Sequence, residues 1–96
     1  MVANGDSAKQ IWLTEYGAAT SGTGGTTVTE DFQAQNVTDA YSVARATPWI
    51  GPVFWFTFQD KAASTGYVGY MGLLRSDGSA KPSWTAYAAA AAAEAL

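Results

Sequence analysis

The chain has 96 residues, of which 48% are hydrophobic and 13 are Phe, Trp or Tyr, and this composition predicts one small folded domain rather than disorder. The net charge is −3 and no Lys/Arg cluster is present, which disfavours nucleic acid and anionic membranes as partners. The absence of Cys and His excludes a disulfide framework, a Ser-His-Asp triad and an imidazole metal site built from this chain alone. We therefore expect neither a metal nor another cofactor.

The amino-terminal residues have the pattern of a helix end. Met1, Val2 and Ala3 suit a last helical turn, and Asn4 and Gly5 suit its stop. This pattern predicts that the natural chain starts earlier.

The first predicted strand covers residues 10–14, where bulky apolar and β-branched side chains follow one another. Glu15, Tyr16 and Gly17 come directly after it. Parallel α/β sheets present their chemistry at the carboxyl ends of buried strands, so Glu15 is a candidate catalytic acid. The competing interpretation is a surface strand that ends in a solvated Glu, and this stretch alone does not decide between the two.

Residues 17–27 are mostly Gly, Ser, Thr and Ala, and they predict a mobile loop after this strand. The loop lacks the Gly-Lys-Ser/Thr ending of a phosphate-binding loop, which disfavours nucleotide binding. A helix over 28–47 follows, with Thr27 and Glu30 as a capping box. Its apolar stripe is predicted to contain Phe32, Val37, Ala40, Tyr41 and Ala44.

Residues 53–58 are almost wholly apolar and aromatic, which is typical of a parallel strand buried on both faces. Gly51 and Pro52 predict the turn before it. An irregular loop over 62–76 leads to a last helix, which opens with Lys81 and Pro82. The buried face of that helix is predicted to contain Trp84, Tyr87, Ala88 and Ala91. The fold class is therefore α/β, with two βα units around a parallel strand pair.

Three stretches resemble one enzyme class. Trp12-Leu13-Thr14-Glu15-Tyr16-Gly17 is similar to the seventh-strand motif of the clan A glycoside hydrolases, which are retaining (β/α)8 barrels. Residues 53–60 resemble the eighth strand of those barrels, and residues 72–84 resemble their closing segment. The chain is thus similar to the C-terminal quarter of a TIM barrel, with family 5 and family 39 as the nearest resemblances.

The resemblance implies roles for individual residues. Glu15 falls on the catalytic nucleophile, Trp55 on the sugar-stacking tryptophan, and Tyr16 lies beside the nucleophile. Asp60 and Lys61 fall in the loop after the eighth strand, which lines the cleft in some members. Taken without the resemblance, Trp55 is better explained as core packing, because buried aromatic side chains usually serve packing.

The resemblance also implies a general acid/base from an Asn-Glu pair at the fourth strand, and this chain contains no Asn-Glu. We expect residues 1–96 to be an incomplete barrel that is inactive alone and needs the remaining strands or self-association. The partner expected is a β-linked oligo- or polysaccharide, and such extracellular substrates imply a secreted parent protein. Two alternatives stay open: a carbohydrate-binding or inactive relic that uses its four Trp side chains, and a self-assembling structural βα fragment.

Overall fold

The computed structural model describes residues 9–94, which form two strands, two long helices and one short helix. In chain order these are β1 (Ile11–Tyr16), α1 (Glu30–Ala46), β2 (Ile50–Trp55), a 3₁₀ turn (Tyr67–Tyr70) and α2 (Pro82–Glu94). This arrangement confirms the predicted α/β class with two βα units. The helix end predicted over Met1 to Gly5 lies outside the described residues.

The two strands are parallel and hydrogen-bonded neighbours. Their register pairs Ile11 with Ile50, Leu13 with Val53 and Tyr16 with Trp55, with irregularities between these pairs. β2 therefore starts three residues before the predicted strand, and the turn predicted at Gly51 and Pro52 is wrong. The strand can contain Pro52, which has no N–H to donate, because only one of its edges is paired within the described chain.

Helix α1 begins after Thr29, whose hydroxyl accepts a hydrogen bond from the Phe32 N–H at 3.1 Å. The predicted cap at Thr27 is wrong, because Thr27 pairs with Ala19 in an isolated parallel bridge and the neighbouring Val28 N–H donates to the Ala19 carbonyl. The backbone there is tied to the loop after β1, so the helix cannot start earlier.

The buried stripe of α1 consists of Gln33, Val37 and Tyr41, spaced four residues apart. Val37 and Tyr41 confirm the predicted stripe, whereas Phe32 is 57% exposed and its prediction as a core residue is wrong. Gln33 replaces it because its amide donates to the carbonyls of Ala18 and Gly72 at 2.9 and 3.3 Å. Bonds to backbone let a polar side chain occupy the interior.

The core lies between the two helices and the helix-facing side of the strand pair. It contains Val37, Tyr41, Leu73 and Ala90, with Val53, Trp55, Ala86 and Tyr87 packed against it. The Tyr41 and Tyr87 rings meet edge to face at 5.6 Å, and the Tyr41 hydroxyl donates to the Val53 carbonyl. The core therefore joins both helices to β2.

The buried face of α2 is rotated from the predicted one. Ser83 and Ala90 are buried, while Trp84, Ala88 and Ala91 are exposed, so only Tyr87 of the predicted set packs on the core. Lys81, which lies just before the helix, is itself buried. Trp84 is left on the surface, where its ring contacts Phe58.

The other side of the sheet is bare. On that side Trp12 is 59% exposed and Phe54 49%, and Phe58, beyond the end of β2, is 58% exposed, so the prediction of a strand buried on both faces is wrong for this chain alone. The radius of gyration is 14.9 Å and the extents are 47 × 31 × 17 Å, against about 13 Å for a compact domain of this length. The molecule is a thin slab with helices on one face.

None of the helices over residues 9–94 is long and apolar enough to cross a lipid bilayer.

An ion pair links the start of α1 to the turn before α2. The Arg75 guanidinium donates to both Glu30 carboxylate oxygens, at 2.6 and 3.1 Å, and also to the Ala80 carbonyl. This hydrogen bonding lowers the pKa of Glu30 below its usual value, with partial burial acting in the opposite direction.

We expect Glu30→Gln to lower the free energy of unfolding by about 0.5–1 kcal/mol at neutral pH, since the pair is partly exposed. A carboxyl with a lowered folded-state pKa stabilises the fold above its unfolded pKa, and this contribution is lost as the pH falls through the folded value. The difference between wild type and variant should therefore shrink below pH 4.5, measured by urea unfolding at fixed protein concentration. A difference that stays constant with pH would contradict this account, and Asp39→Asn on the exposed face of α1 is the control.

Candidate active site

Glu15 lies near the carboxyl end of β1, at the edge of the sheet where chemistry in parallel α/β folds is placed. Its neighbour Tyr16 accepts a hydrogen bond through its carbonyl from the Phe56 N–H at 2.9 Å, so the ends of the two strands are joined there. Glu15 is exposed, and no described residue within 9–94 forms a hydrogen bond or ion pair with its carboxylate. The carboxylate is therefore available to an external group.

A groove of about 280 Å³ opens beside Glu15. Its other walls come from the end of β1 and from the connection after β2, namely Tyr16, Gly17, Phe56, Tyr67, Val68 and Met71. Among the described residues that line this groove, Glu15 is the only charged one. A single carboxylate among aromatic and apolar walls can meet a ligand that carries both hydroxyl groups and apolar C–H faces.

Gly17 sets how closely the two strand ends approach. A Cβ at this position would press on the Phe56 carbonyl oxygen and lie 2.7 Å from the Met71 Cε. No side chain fits there, so the backbone after Glu15 is packed directly on the opposite wall.

Trp55 and Phe56 take different positions at the end of β2. Trp55 packs against the helix-side core, and its indole N–H donates to the Met71 carbonyl at 3.1 Å. Its ring meets Tyr16 edge on at 5.9 Å. Phe56 lines the groove beside Glu15. Successive side chains on a strand point to opposite faces. In the sequence, this alternation was the signal that Phe56 and Trp55 would lie on different faces. The sugar-stacking role of Trp55 stays a prediction.

The glycine-rich loop after β1 is docked on the loop after β2. The Thr23 N–H donates to the Thr65 carbonyl and the Tyr67 N–H donates to the Thr23 carbonyl, both at 2.9 Å. Gly22 has a φ of +95°, and a Cβ there would lie 2.7 Å from the Tyr67 backbone. The loop therefore supports the segment that carries Tyr67 and Val68 into the groove.

Asp60 is bound within the chain. Its carboxylate pairs with the Lys81 ammonium at 2.9 Å, and both side chains are almost fully buried. The same oxygen, Oδ1, accepts a hydrogen bond from the Gly72 N–H at 2.8 Å. Asp60 is not among the groove residues, and its predicted contact with substrate stays a prediction.

The described residues contain no group of three or more acids placed to hold a metal ion. Glu15 also has no second carboxyl group in its groove. Neither Asp60, which is paired with Lys81, nor Glu30, which is paired with Arg75, is available to it as a proton donor.

Comparison with known proteins gives a family. The model of the "Glycosyl hydrolase catalytic core" family matches residues 2–87. A family 39 glycoside hydrolase from Bacteroides cellulosilyticus WH2 is 34% identical with a TM-score of 0.73, over 85% of this chain and 16% of that one. A GH5_18 protein from Streptomyces cattleya, solved in complex with GlcNAc, is 26% identical with a TM-score of 0.69, over 86% of this chain and 20% of that one.

A β-glucuronidase from Faecalibacterium prausnitzii shares the fold, with a TM-score of 0.65 and 20% identity over 95% of this chain and 17% of that one. No curated protein sequence matches. The family model and the family 39 and GH5_18 structures confirm the glycoside hydrolase resemblance drawn from the sequence motifs. The chain spans only about a fifth or less of their lengths.

We expect Gly17→Ala to destabilise the fold by about 1–3 kcal/mol, because the added methyl group must displace the Phe56 backbone or the Met71 side chain. Gly66→Ala is the matched control, since nothing lies within 4 Å of a Cβ there and its φ is −79°. That control should change the free energy of unfolding by less than about 0.5 kcal/mol. Equal urea midpoints for the two variants would show that the strand ends are not in close contact.

Proposed function

Because the chain belongs to the glycosyl hydrolase catalytic core family, we propose that it provides strands seven and eight of a retaining glycosidase, with Glu15 as the nucleophile. The observation that carries the proposal is the position of Glu15: a free carboxylate at the carboxyl end of a barrel-type strand, beside an aromatic groove. The proposed substrate is a β-linked oligo- or polysaccharide. The 34% identity with a family 39 glycoside hydrolase supports this assignment.

In the proposed reaction the Glu15 carboxylate attacks the anomeric carbon and the glycosidic C–O bond breaks. A second carboxyl group protonates the departing oxygen, and water later releases the sugar from the glycosyl-enzyme. Retaining enzymes hold the two carboxyl groups about 5–5.5 Å apart. Tyr16 and Phe56 line the groove together with Glu15, and we propose that they contact the bound sugar ring.

The acid/base is proposed to come from outside this chain, because residues 9–94 place no second carboxyl group in the groove and no Asn-Glu pair occurs in the sequence. The bare sheet supports the same conclusion. Trp12 and Phe54 expose apolar surface, and both outer strand edges are unpaired within residues 9–94. The remaining strands of a barrel would cover this surface and bring the acid/base with them.

The test uses the assembled barrel, meaning this chain together with the proposed remaining strands. In it we expect Glu15→Gln to lower kcat for an aryl β-glycoside by at least about a thousandfold, the scale seen when a covalent nucleophile is removed. Asp39→Asn removes an acid from the exposed face of α1 and is the control. A 2-deoxy-2-fluoro glycoside should label the wild-type protein at Glu15, detected by peptide mass spectrometry. Labelling at another residue, or full activity of Glu15→Gln, would refute the assignment.

Carbohydrate binding without hydrolysis is the alternative, and it is favoured by the absence of a second carboxyl group from the groove. An oligosaccharide that quenches Trp fluorescence in the assembled barrel, with neither turnover nor labelling, would support that alternative.

The residues 1–96 alone should be inactive and should self-associate, because exposed strand edges and apolar side chains invite pairing. Sedimentation velocity over a range of protein concentrations measures this. A monodisperse monomer with a melting temperature independent of concentration would contradict it.

A further inference from the structure

We propose that the buried Lys81–Asp60 ion pair positions the wall of the groove that faces Glu15. The inference rests on the proposed function of Glu15, and it makes Lys81 and Asp60 positioning residues that act on the backbone at 70–72.

The ion pair is almost completely removed from solvent, with 1% of the Lys81 side chain and 7% of the Asp60 side chain exposed. The Lys81 ammonium has three hydrogen-bond donors. It donates to Asp60 Oδ1 at 2.9 Å, to Thr20 Oγ1 at 3.0 Å and to the Tyr70 carbonyl at 3.4 Å. One cation thus joins the loop after β1 to both sides of the connection after β2.

The same ion pair holds the backbone on either side of Met71. Lys81 binds the Tyr70 carbonyl and Asp60 accepts from the Gly72 N–H. Met71, between them, lines the groove beside Glu15. Its carbonyl accepts from the Trp55 indole N–H and from the Thr57 N–H. The Tyr70 carbonyl also accepts from the Thr20 N–H at 3.1 Å and from the Thr20 hydroxyl at 3.3 Å, and Lys81 in turn donates to that hydroxyl. Lys81 and Asp60 therefore belong to the network of contacts that holds the groove wall.

Gly72 has no room to move inward or to carry a side chain. A Cβ there would press on the backbone of Gln59 and Asp60. Gln33 donates to the Gly72 carbonyl from the opposite side. A small displacement of Asp60 is thus passed to Gly72 and on to Met71.

Stability alone does not account for this arrangement. A buried ion pair can often be replaced by apolar side chains with no loss of stability, because removing two charges from water is costly. Apolar side chains cannot bind the Tyr70 carbonyl, the Thr20 hydroxyl and the Gly72 N–H together. The ion pair instead fixes the positions of Thr20, Tyr70 and Gly72 relative to one another.

The test compares Lys81→Met, the double variant Lys81→Met/Asp60→Asn, and Glu30→Gln in the assembled barrel. Lys81→Met leaves Asp60 buried without a cation, so it should lower the melting temperature. The double variant removes that unpaired charge and should recover much of the loss. Glu30→Gln breaks the partly exposed ion pair and controls for the loss of an ion pair as such.

Two measurements separate positioning from stability, both made where circular dichroism shows a folded protein. We expect kcat/KM to fall about 10- to 100-fold in Lys81→Met and to stay low in the double variant, because misplacement of a binding wall is costly. Hydrogen exchange of the Trp55 indole N–H, followed by NMR, should speed up in both and stay unchanged in Glu30→Gln. Thr20→Val removes both an acceptor of the Lys81 ammonium and a hydroxyl donor to the Tyr70 carbonyl, without leaving a buried charge. It should shift both readouts in the same direction by a smaller amount.

The inference is overturned if the double variant or Thr20→Val, when folded, has wild-type kcat/KM and wild-type indole exchange. It is also overturned if kcat/KM recovers together with melting temperature. Failure of the proposed function has a different signature: the wild-type barrel has no turnover, or Glu15→Gln keeps it. In that case the indole exchange alone decides whether Lys81 holds the wall.

Discussion

Two parallel strands with helices on one face can bury only that face, and the rest of this structure depends on that constraint. The helix-side core joins α1 and α2 to β2 through Val37, Tyr41 and Leu73. On the opposite side, apolar side chains such as Trp12 and Phe54 meet solvent, and the strand pair ends at two open edges. A closed barrel would cover both the apolar side chains and the open strand edges, because closure pairs every edge and fills the interior with side chains. The slab thus has the geometry of a barrel segment.

The groove beside Glu15 has the same incomplete character. β1 brings a carboxylate to the correct edge of the sheet, and Gly17 lets the following backbone pack on the opposite wall. The groove offers one carboxylate, whereas retaining glycoside hydrolysis needs two. The interactions that would orient Glu15 are also absent from residues 9–94. The proposed nucleophile and the groove wall belong to this chain, and the proposed proton donor belongs to the strands that would close the barrel.

The interior of the connection between β2 and α2 is polar. Asp60, Lys81 and Gln33 lie in it with their charges or amides bound to one another or to backbone groups. A long irregular segment leaves many backbone donors and acceptors without strand or helix partners, and buried ones must be satisfied. Asp60 accepts from the Gly72 N–H and Gln33 donates to the Gly72 carbonyl, while Lys81 adds a donor to the Tyr70 carbonyl that the Thr20 N–H already binds. The segment thereby keeps a defined path past Glu15.

The sequence by itself determined the order of elements, the parallel βα class and Glu15 at a strand end, because runs of strand-forming residues and helical periodicity act over a few neighbours. Only the tertiary structure decided which faces are buried. Phe32 and Trp84 are exposed although their spacing favoured the core. The polar side chains of Gln33 and Lys81 are buried instead, because they reach backbone and carboxylate partners distant in sequence. The tertiary structure also placed Phe56 beside Glu15, since that contact depends on the register of two strands that lie far apart along the chain.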